Sequence, residues 1–305
     1  MTPPGTGNKL QARSPTRASA TQIVPRIALV LLVLITAAAL FAPWIAPQNP
    51  YDLAQLDIMD ARLAPGSASS APAADGGTHH YLLGSDDQGR DMLSAILYGL
   101  RTSLMVALAS TVLALSLGLL VGLVSAWRGG WFDALAMRIA DLQLSFPSVL
   151  IALVLLAVMG QGVDKIIAAL IAVQWAYYAR TVRGVALAER NREYIRSAIA
   201  LGLPAPRIIL VHLLPNCLPP LLVVAMVQIA AAISLEATLS FLGLGLPITE
   251  PSLGLLIANG FTYMLSGKYW ISFYPGLALL LTIACINLVG DRWRDTLDPR
   301  LGKAT

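Results

Sequence analysis

Charged residues are scarce in this chain of 305 residues: Asp, Glu, Lys and Arg make up 12% of it, against about 25% in a typical soluble domain. Hydrophobic residues make up 56%, and the mean hydropathy is +0.69. A water-soluble core that buries so much apolar side chain leaves too little polar surface to face solvent. The composition therefore excludes an ordinary soluble domain and predicts a polytopic membrane protein.

The motifs of common catalytic and metal-binding sites are also missing. No lysine is followed by Ser or Thr, so the phosphate-binding motif of P-loop ATPases is absent. There is no nucleophile elbow, HExxH helix or CxxC pair, and three histidines are too few for a His-based relay. Cys217 and Cys285 lie in apolar runs and are expected to be buried thiols. We expect no catalytic residue, no metal site and no cofactor in this chain.

Apolar stretches bounded by charges, Gly or Pro predict six transmembrane helices and an all-α integral membrane protein. A signal peptide is the alternative for the first stretch, but signal h-regions are typically about 7–15 residues long. The predicted spans are residues 27–46, 104–126, 142–160, 166–179, 218–242 and 271–289.

Basic residues are distributed unevenly over the predicted loops. Most of the 21 Lys and Arg residues fall in the N-terminal tail 1–26, the loop after the second span, the loop 183–215 and the C-terminal tail 291–305. The segment 47–97 is instead rich in aspartate. The positive-inside rule then predicts that both termini are cytoplasmic and that 47–97 is extracytoplasmic. The basic excess is explained by topology, so no nucleic-acid partner is expected.

Two features of this topology are less specific. Residues 64–77 are rich in Pro, Ala, Ser and Gly, which predicts a mobile loop because such residues build no packed core. Gly118 and Gly122 form a G-x-x-x-G pair, which predicts close helix packing.

The loop 183–215 has the clearest local pattern. Residues 193–201 predict a short helix with Glu193 at its positive end, and Gly202 predicts a left-handed C-cap. A second helical piece is predicted from Pro206 to Pro215. So short a helix must bury its apolar stripe, on a partner protein or on this chain's own span ends. The predicted stripe is Ile195, Ala198 and Ile199.

Glu236 is the one acid well inside a predicted span. A charge there costs several kcal/mol, so the side chain is expected to face a partner, a subunit interface or a watery pathway. A structural carboxyl, hydrogen-bonded near the outer end of its helix, is an equally good interpretation. An ion-coupled secondary transporter is the rival class of function, but it predicts internal repeats and several such charges.

The loop segments 193–202 (EYIRSAIALG) and 207–216 (RIILVHLLPN) resemble the EAA loop of ABC-importer permeases, specifically the dipeptide/oligopeptide/nickel family. Other segments are similar to blocks that recur in that family in the same order, and the resemblance runs from residue 27 to residue 299. These segments are 83–91 (LGSDDQGRD), 98–104 (YGLRTSL), 146–147 (FP), 178–184 (YARTVRG), 239–245 (LSFLGLG) and 290–299 (GDRWRDTLDP).

The resemblance implies that the loop contains a coupling helix, which sits in a groove of a cytoplasmic ATPase subunit. Arg196 stands where the family usually has an acid, so a salt bridge from that acid to the ATPase is absent or reversed in sign here. Gly202 occupies the position of the glycine in that family's loop. The predicted coupling residues are Glu193, Arg196, Ser197, Ala198, Gly202 and Arg207.

The resemblance further implies a type I ABC-importer permease whose five-helix core spans residues 98–290, with the first span added outside it. The implied partners are a second permease, two ATPase subunits that carry ATP and Mg²⁺, an extracytoplasmic substrate-binding protein and the lipid of the bacterial inner membrane. Di- or oligopeptides are the expected substrates. Glutathione, opines and nickel chelates remain alternatives.

Overall fold

The computed structural model describes residues 15–52, 56–72 and 78–297, so residues 1–14 and 298–305 of the two predicted tails lie outside the described residues. Most described residues are helical. The helices are α1 (Pro15–Leu40), α2 (Ala42–Ile45), α3 (Met92–Arg128), α4 (Gly130–Leu144), α5 (Ser148–Met159), α6 (Val163–Arg190), α7 (Glu193–Ala200), α8 (Ala205–Arg207), α9 (Leu214–Phe241), α10 (Leu253–Tyr263) and α11 (Trp270–Leu297), and the strands are β1 (Ser67–Pro72) and β2 (Thr78–Tyr81).

Long apolar helices account for most of the predicted spans. Among the described residues, four helical segments have the length and composition to cross a membrane, and α4 with α5 makes a fifth if this bent pair is one span. The remaining predicted span, 166–179, lies within α6, whose second half also carries Arg180 and Arg183. The four segments are Ile23–Leu40, Met92–Arg128, Ala205–Phe241 and Trp270–Thr296.

Helices α3 and α6 pack closely along each other, as the glycine pair predicts. A Cβ atom on Gly118 would meet the Tyr178 side chain and lie 2.6 Å from the Trp175 carbonyl oxygen, and one on Gly122 would lie 2.7 Å from the Ala179 carbonyl oxygen. These distances are shorter than van der Waals contact, so the two backbones come together only because both positions lack a side chain.

The third predicted span, 142–160, is wrong as a single helix. The structure bends by 94° between α4 and α5. Pro147 lies in the break with an extended ψ of 125° and precedes the first residue of α5. Proline lacks a backbone N–H, and it disfavours helical geometry in the preceding residue, Phe146. The polypeptide therefore turns here instead of continuing as one rod.

The predicted helix end at Pro215 is also wrong, because the helical path runs without interruption from Ala205 to Phe241. Residues Ile208–Leu213 form a π-helical turn, and the Leu214 N–H bonds to the Ile209 carbonyl, five residues back. In an α-helix the Pro215 ring would clash with the carbonyl four residues earlier. The wider π turn gives the ring room, so the helix passes the proline.

The predicted loop 64–77 forms a β-hairpin over its described part. Strand β1 pairs antiparallel with β2, with Ser67 opposite Tyr81. The buried carboxylate of Asp60 accepts hydrogen bonds from the Ser70 N–H at 2.8 Å and from the Tyr81 hydroxyl at 3.0 Å. This one carboxylate holds both strands, so the hairpin does not depend on large apolar side chains.

The helix bundle has two distinct ends. Helix α3 begins beside the hairpin, where the Met92 N–H bonds to the Gly84 carbonyl at 3.0 Å. It ends near α7, where Arg190 donates to the Ala126 carbonyl at 2.8 Å. We call these the hairpin end and the α7 end. Helix α10, which was not predicted, packs against α3, α9 and α11 at the hairpin end.

Candidate functional site

The short helix predicted within the loop 183–215 is present as α7, over Glu193–Ala200. Glu193 lies in its first turn, where a carboxylate favours the positive end of the helix dipole. Arg192 precedes the helix in an extended conformation and separates it from the end of α6. The sequence prediction of a short helix starting at Glu193 is therefore confirmed.

Gly202 ends this helix in the conformation that the sequence predicts, with a φ of 73°. The Gly202 N–H donates to the Ile199 carbonyl at 2.9 Å, and the Leu203 N–H donates to the Ala198 carbonyl at 3.2 Å. Leu203 also packs against the apolar cluster that contains Ala198. These two hydrogen bonds and one apolar contact make a Schellman motif, which directs the chain away from the helix axis.

The inner face of α7 is buried against the same chain. Ile195, Ala198 and Ile208 are buried together, with Trp127 from the end of α3 packed on them. The Arg190 guanidinium lies over the Trp127 ring, 5.4 Å from the ring centroid. The buried part of the predicted stripe therefore packs on this chain's own span ends and not on a partner protein.

The outer face of α7 is uncovered. Ile199 was predicted to lie in the buried stripe, but it is 47% exposed, and Leu201 is 81% exposed. In an α-helix Ile199 follows Ala198 by about 100°, which turns it past the edge of the small buried patch. Five of the predicted coupling residues are exposed, whereas Ala198 is buried. Glu193, Arg196 and Ser197 lie on α7, Gly202 follows it, and Arg207 lies in α8.

Two of these exposed residues are arginines. Within the described ranges, neither Arg196 nor Arg207 has a carboxylate within ion-pairing distance, whereas Arg192 pairs with Glu189 at 2.9 Å. Helix α7 and the segment that follows it, up to Arg207, thus combine two unpaired cations with exposed apolar side chains. Such a surface suits contact with another macromolecule better than it suits water alone.

A polar cluster that sequence reasoning missed joins α7 to its neighbours. The Tyr194 hydroxyl donates to Glu189 Oε2 at 2.8 Å and accepts from Asn216 Nδ2 at 3.1 Å. Partial burial, and then the hydrogen bond to Glu189, raise the pKa of Tyr194 to about 12. Tyr194 and Asn216 are 22 residues apart. Both fall in the segments that carry the family resemblance, but spacing alone does not reveal that they touch.

Glu236 lies near the hairpin end and is fully buried. Its carboxylate accepts hydrogen bonds from the Ser103 hydroxyl at 2.7 Å and from the Ser240 hydroxyl at 2.8 Å. Ser103 belongs to α3, so the carboxylate ties α9 to α3. This geometry matches the interpretation as a structural carboxyl, while a role in a pathway stays a prediction.

The hairpin end contains a second buried charge. Arg90 and Asp86 form an ion pair with 2.6 Å between Nε and Oδ2, and both side chains are almost completely buried. Arg90 Nη1 also donates to the Ile248 carbonyl at 3.3 Å, and the Trp270 indole donates to the Ser85 carbonyl at 3.3 Å. These contacts join the segment before α3 to the segments that flank α10.

Metal-ligand geometry is not found in the part of the chain that the structure describes, where no three His, Cys, Asp or Glu side chains come together as ligands. Cys217 and Cys285 are buried free thiols, as predicted. The polar cluster at Tyr194 lies at the α7 end, and the buried carboxylates of Asp86 and Glu236 lie at the hairpin end.

Comparisons with known proteins agree with this geometry. Residues 118–303 match the family described as "Binding-protein-dependent transport system inner membrane component", and residues 26–65 match the "N-terminal TM domain of oligopeptide transport permease C". The inward-facing MetNI methionine ABC transporter has a similar fold, with a TM-score of 0.54 over 68% of this chain and 97% of that chain. Its sequence identity of 21% carries the fold alone.

Sequence relatives cover almost the whole chain. The "Di/tripeptide transport system permease protein DppC" of Pseudomonas aeruginosa is 37% identical over 90% of this chain and 88% of its own length. The "Dipeptide transport system permease protein DppC" of Escherichia coli K12 is 40% identical over the same shares of both chains. Taken with the helical bundle and the loop helix α7, these matches show that the chain is a multi-pass membrane protein with a type I ABC-importer permease fold, and that it belongs to the family of binding-protein-dependent transport system inner membrane components.

Proposed function

We propose that this permease imports di- or oligopeptides across the bacterial inner membrane. The names of its relatives support a peptide substrate, because three of them that match over 90% of this chain are permeases for dipeptides, di- and tripeptides or, in one probable case, D,D-dipeptides. The partners are a second permease, two ATPase subunits and an extracytoplasmic substrate-binding protein. ATP and Mg²⁺ belong to the ATPase subunits, and this chain contributes no catalytic residue.

The distribution of charge supports an orientation with both termini in the cytoplasm. Arginines gather at the α7 end, and aspartates gather at the hairpin end, which agrees with the positive-inside rule. The arginines include Arg128, Arg190, Arg192, Arg196 and Arg207, and the aspartates include Asp52, Asp57, Asp60, Asp86 and Asp87.

The observation that carries the mechanism is the uncovered outer face of α7. This helix is anchored by a small apolar patch, and it exposes Ile199 and the unpaired Arg196, while Leu201 and the unpaired Arg207 are exposed in the segment that follows it. In the proposed mechanism this face binds the ATPase, and closure of the ATPase pair displaces α7. The displacement passes to the spans through α6 and through the helical path Ala205–Phe241, which switches the permease between inward-facing and outward-facing states.

Gly202→Val tests this mechanism. A β-branched residue with a positive φ is strained by about 1–2 kcal/mol, and a Cβ at this position meets no atom within 4 Å, so backbone strain is the only local effect. Uptake and the substrate-stimulated part of ATP hydrolysis should fall in vesicles that contain equal amounts of assembled complex. Gly267→Val is the matched control, because Gly267 has a φ of 77° and equally open surroundings at the hairpin end. Wild-type rates for Gly202→Val would refute the coupling role of α7.

Cysteine labelling tests the orientation separately. In a background without Cys217 and Cys285, Ala188→Cys should react with a membrane-impermeant maleimide only from the cytoplasm, and Ser69→Cys only from outside. The reverse pattern would contradict the proposed orientation.

Competition for uptake tests the substrate. Unlabelled dipeptides and tripeptides should inhibit uptake of a labelled dipeptide by the assembled importer, whereas glutathione and a nickel–histidine chelate should not. Inhibition by glutathione or the chelate alone would transfer the assignment to that substrate without affecting the coupling role of α7.

A further inference from the structure

Three polar side chains join α7 to two other helices at the α7 end. Glu189 lies in the last turn of α6, Tyr194 in the first turn of α7 and Asn216 in the first turn of α9. The Tyr194 hydroxyl bonds to both of the others, at 2.8 Å and 3.1 Å. It donates to the carboxylate and accepts from the amide, so one oxygen atom connects three helices.

Asn216 connects α7 to the π-helical turn as well. Its Nδ2 atom donates to the His212 carbonyl at 2.7 Å in addition to the Tyr194 hydroxyl. His212 belongs to the π turn Ile208–Leu213, which is the only helical segment between α8 and α9. A π turn in a long helix is a frequent place for bending and for function. Asn216 therefore bonds to the π turn on one side and to α7 on the other.

The polar cluster constrains α7 in a way that its apolar patch does not. Contacts among Ile195, Ala198 and Ile208 are non-directional, so they do not by themselves fix the orientation of α7. The hydrogen bonds from Tyr194 are directional, and Glu189 is fixed by its second bond, to Arg192. Because the pKa of Tyr194 is about 12, its hydroxyl stays protonated and able to donate throughout the physiological pH range.

We propose that Tyr194 and Asn216 are positioning residues that transmit a displacement of α7 to α9, with the π turn Ile208–Leu213 as the point of bending. This inference rests on the proposed role of α7 as the surface that binds the ATPase. Glu189 holds the Tyr194 hydroxyl in place and connects the same movement to α6. The substrate does not touch these residues, which act on transport only through the helices that they join.

Tyr194→Phe and Asn216→Ala test the link in vesicles that contain the complete importer. The readout is the number of dipeptide molecules transported per ATP hydrolysed, at equal amounts of assembled complex. Each variant should lower this ratio by at least about two- to tenfold, the range expected for the loss of the shared Tyr194–Asn216 hydrogen bond. The double variant should lower the ratio by less than the product of the two single effects, because both changes break that shared bond, although each also breaks one bond of its own, to Glu189 or to His212. Unchanged ratios, or single effects that multiply in full, would overturn the proposal.

Asn191→Ala is the matched control. Asn191 is also exposed, and it donates to the carbonyl four residues back, Leu187, at 3.1 Å, just as Asn216 donates to His212. Among the described residues, Asn191 has no hydrogen bond to α7. Its replacement should leave the ratio at the wild-type value. If Tyr194→Phe lowers the melting temperature and the yield of complex but leaves the ratio unchanged, the residues are merely structural and the proposal fails.

A photo-crosslinker on Leu201→Cys separates this inference from the proposed function. Leu201 is 81% exposed on the outer face of α7, so the probe should capture an ATPase subunit in every variant. No capture in the otherwise wild-type complex would refute the proposed function and, with it, the link. Capture together with an unchanged transport ratio for Tyr194→Phe would refute the link alone.

Discussion

The hairpin end and the α7 end of this permease differ in how their charged side chains are placed. At the hairpin end Asp60, Asp86, Arg90 and Glu236 are buried, and each has partners within the chain. At the α7 end, by contrast, Arg196 is exposed and unpaired. Buried ion pairs and hydrogen-bonded carboxylates hold a region in its own shape, whereas exposed cations and apolar side chains offer a surface to another molecule. The difference makes the hairpin end the fixed frame of this fold and leaves the α7 end as an exposed surface.

The largest expected effect is at the hairpin end. Arg90→Ala would leave the Asp86 carboxylate buried without its cation, which typically costs about 3–5 kcal/mol. The melting temperature of the purified subunit should fall by many degrees. Lys165→Ala is the control, because Lys165 pairs with Asp164 on the surface and exposed pairs contribute about 1 kcal/mol or less. Equal melting temperatures for the two variants would contradict the picture of a fixed frame.

An effect of similar size is expected at Glu236. Glu236→Ala leaves the hydroxyls of Ser103 and Ser240 without an acceptor, and each unsatisfied buried donor costs about 1–3 kcal/mol. Glu236→Gln keeps one acceptor oxygen, so it should lower the melting temperature less. Transport per assembled complex should stay near the wild-type value in both variants if the carboxyl is structural. A loss of transport by Glu236→Gln with an unchanged melting temperature would instead support a place in the pathway.

Helices α3 and α6 connect the two ends, and Gly118→Ala tests how closely these helices pack. The added methyl group would overlap Tyr178 and the Trp175 carbonyl, and overpacking of this kind costs about 1–3 kcal/mol. Gly184→Ala is the matched control, since Gly184 is also in a helix but has open space around it. That control should be neutral or stabilising by up to about 1 kcal/mol. Similar melting temperatures for the two variants would show that α3 and α6 are not in close contact.

The smallest effect on stability is expected at the outer face of α7. Arg196→Glu changes the local charge by two units, but the side chain is exposed and unpaired. The free energy of unfolding of the Arg196→Glu variant should therefore stay within about 0.5 kcal/mol of the wild-type value. Thermal unfolding of the isolated subunit checks this, and a loss as large as that of Gly118→Ala would show that Arg196 packs within the chain.

The sequence predicts α7 and Gly202 well because helix capping is a local property. The Schellman motif needs only the residues from Ala198 to Leu203, and all of them are adjacent in the chain. The hairpin could not be predicted, because the carboxylate of Asp60 that holds it contacts Ser70 and Tyr81 across 10 and 21 residues. Small residues in β1 give no apolar alternation that would reveal a strand.

Other departures from prediction have local causes that periodicity does not show. Apolar content continues through the bend at Pro147 and through the π turn before Pro215, so hydropathy alone places the helix ends wrongly. The same limit applies to α10, an 11-residue apolar helix that is too short to read as a span. The polar cluster at Tyr194 depends on a tertiary contact and therefore needs the structure.

The π-helical turn also has a consequence for how this loop tolerates changes in length. Each residue of an α-helix rotates the chain by about 100° and advances it by about 1.5 Å. A π-helical turn holds about one residue more than an α-helical turn. Removing one residue between Ile208 and Leu213 would therefore return this turn to α-helical hydrogen bonding with little rotation of α7 around the axis of α9. The same deletion would bring the Pro215 ring against the carbonyl four residues earlier, so it should bend or break the helix at the proline.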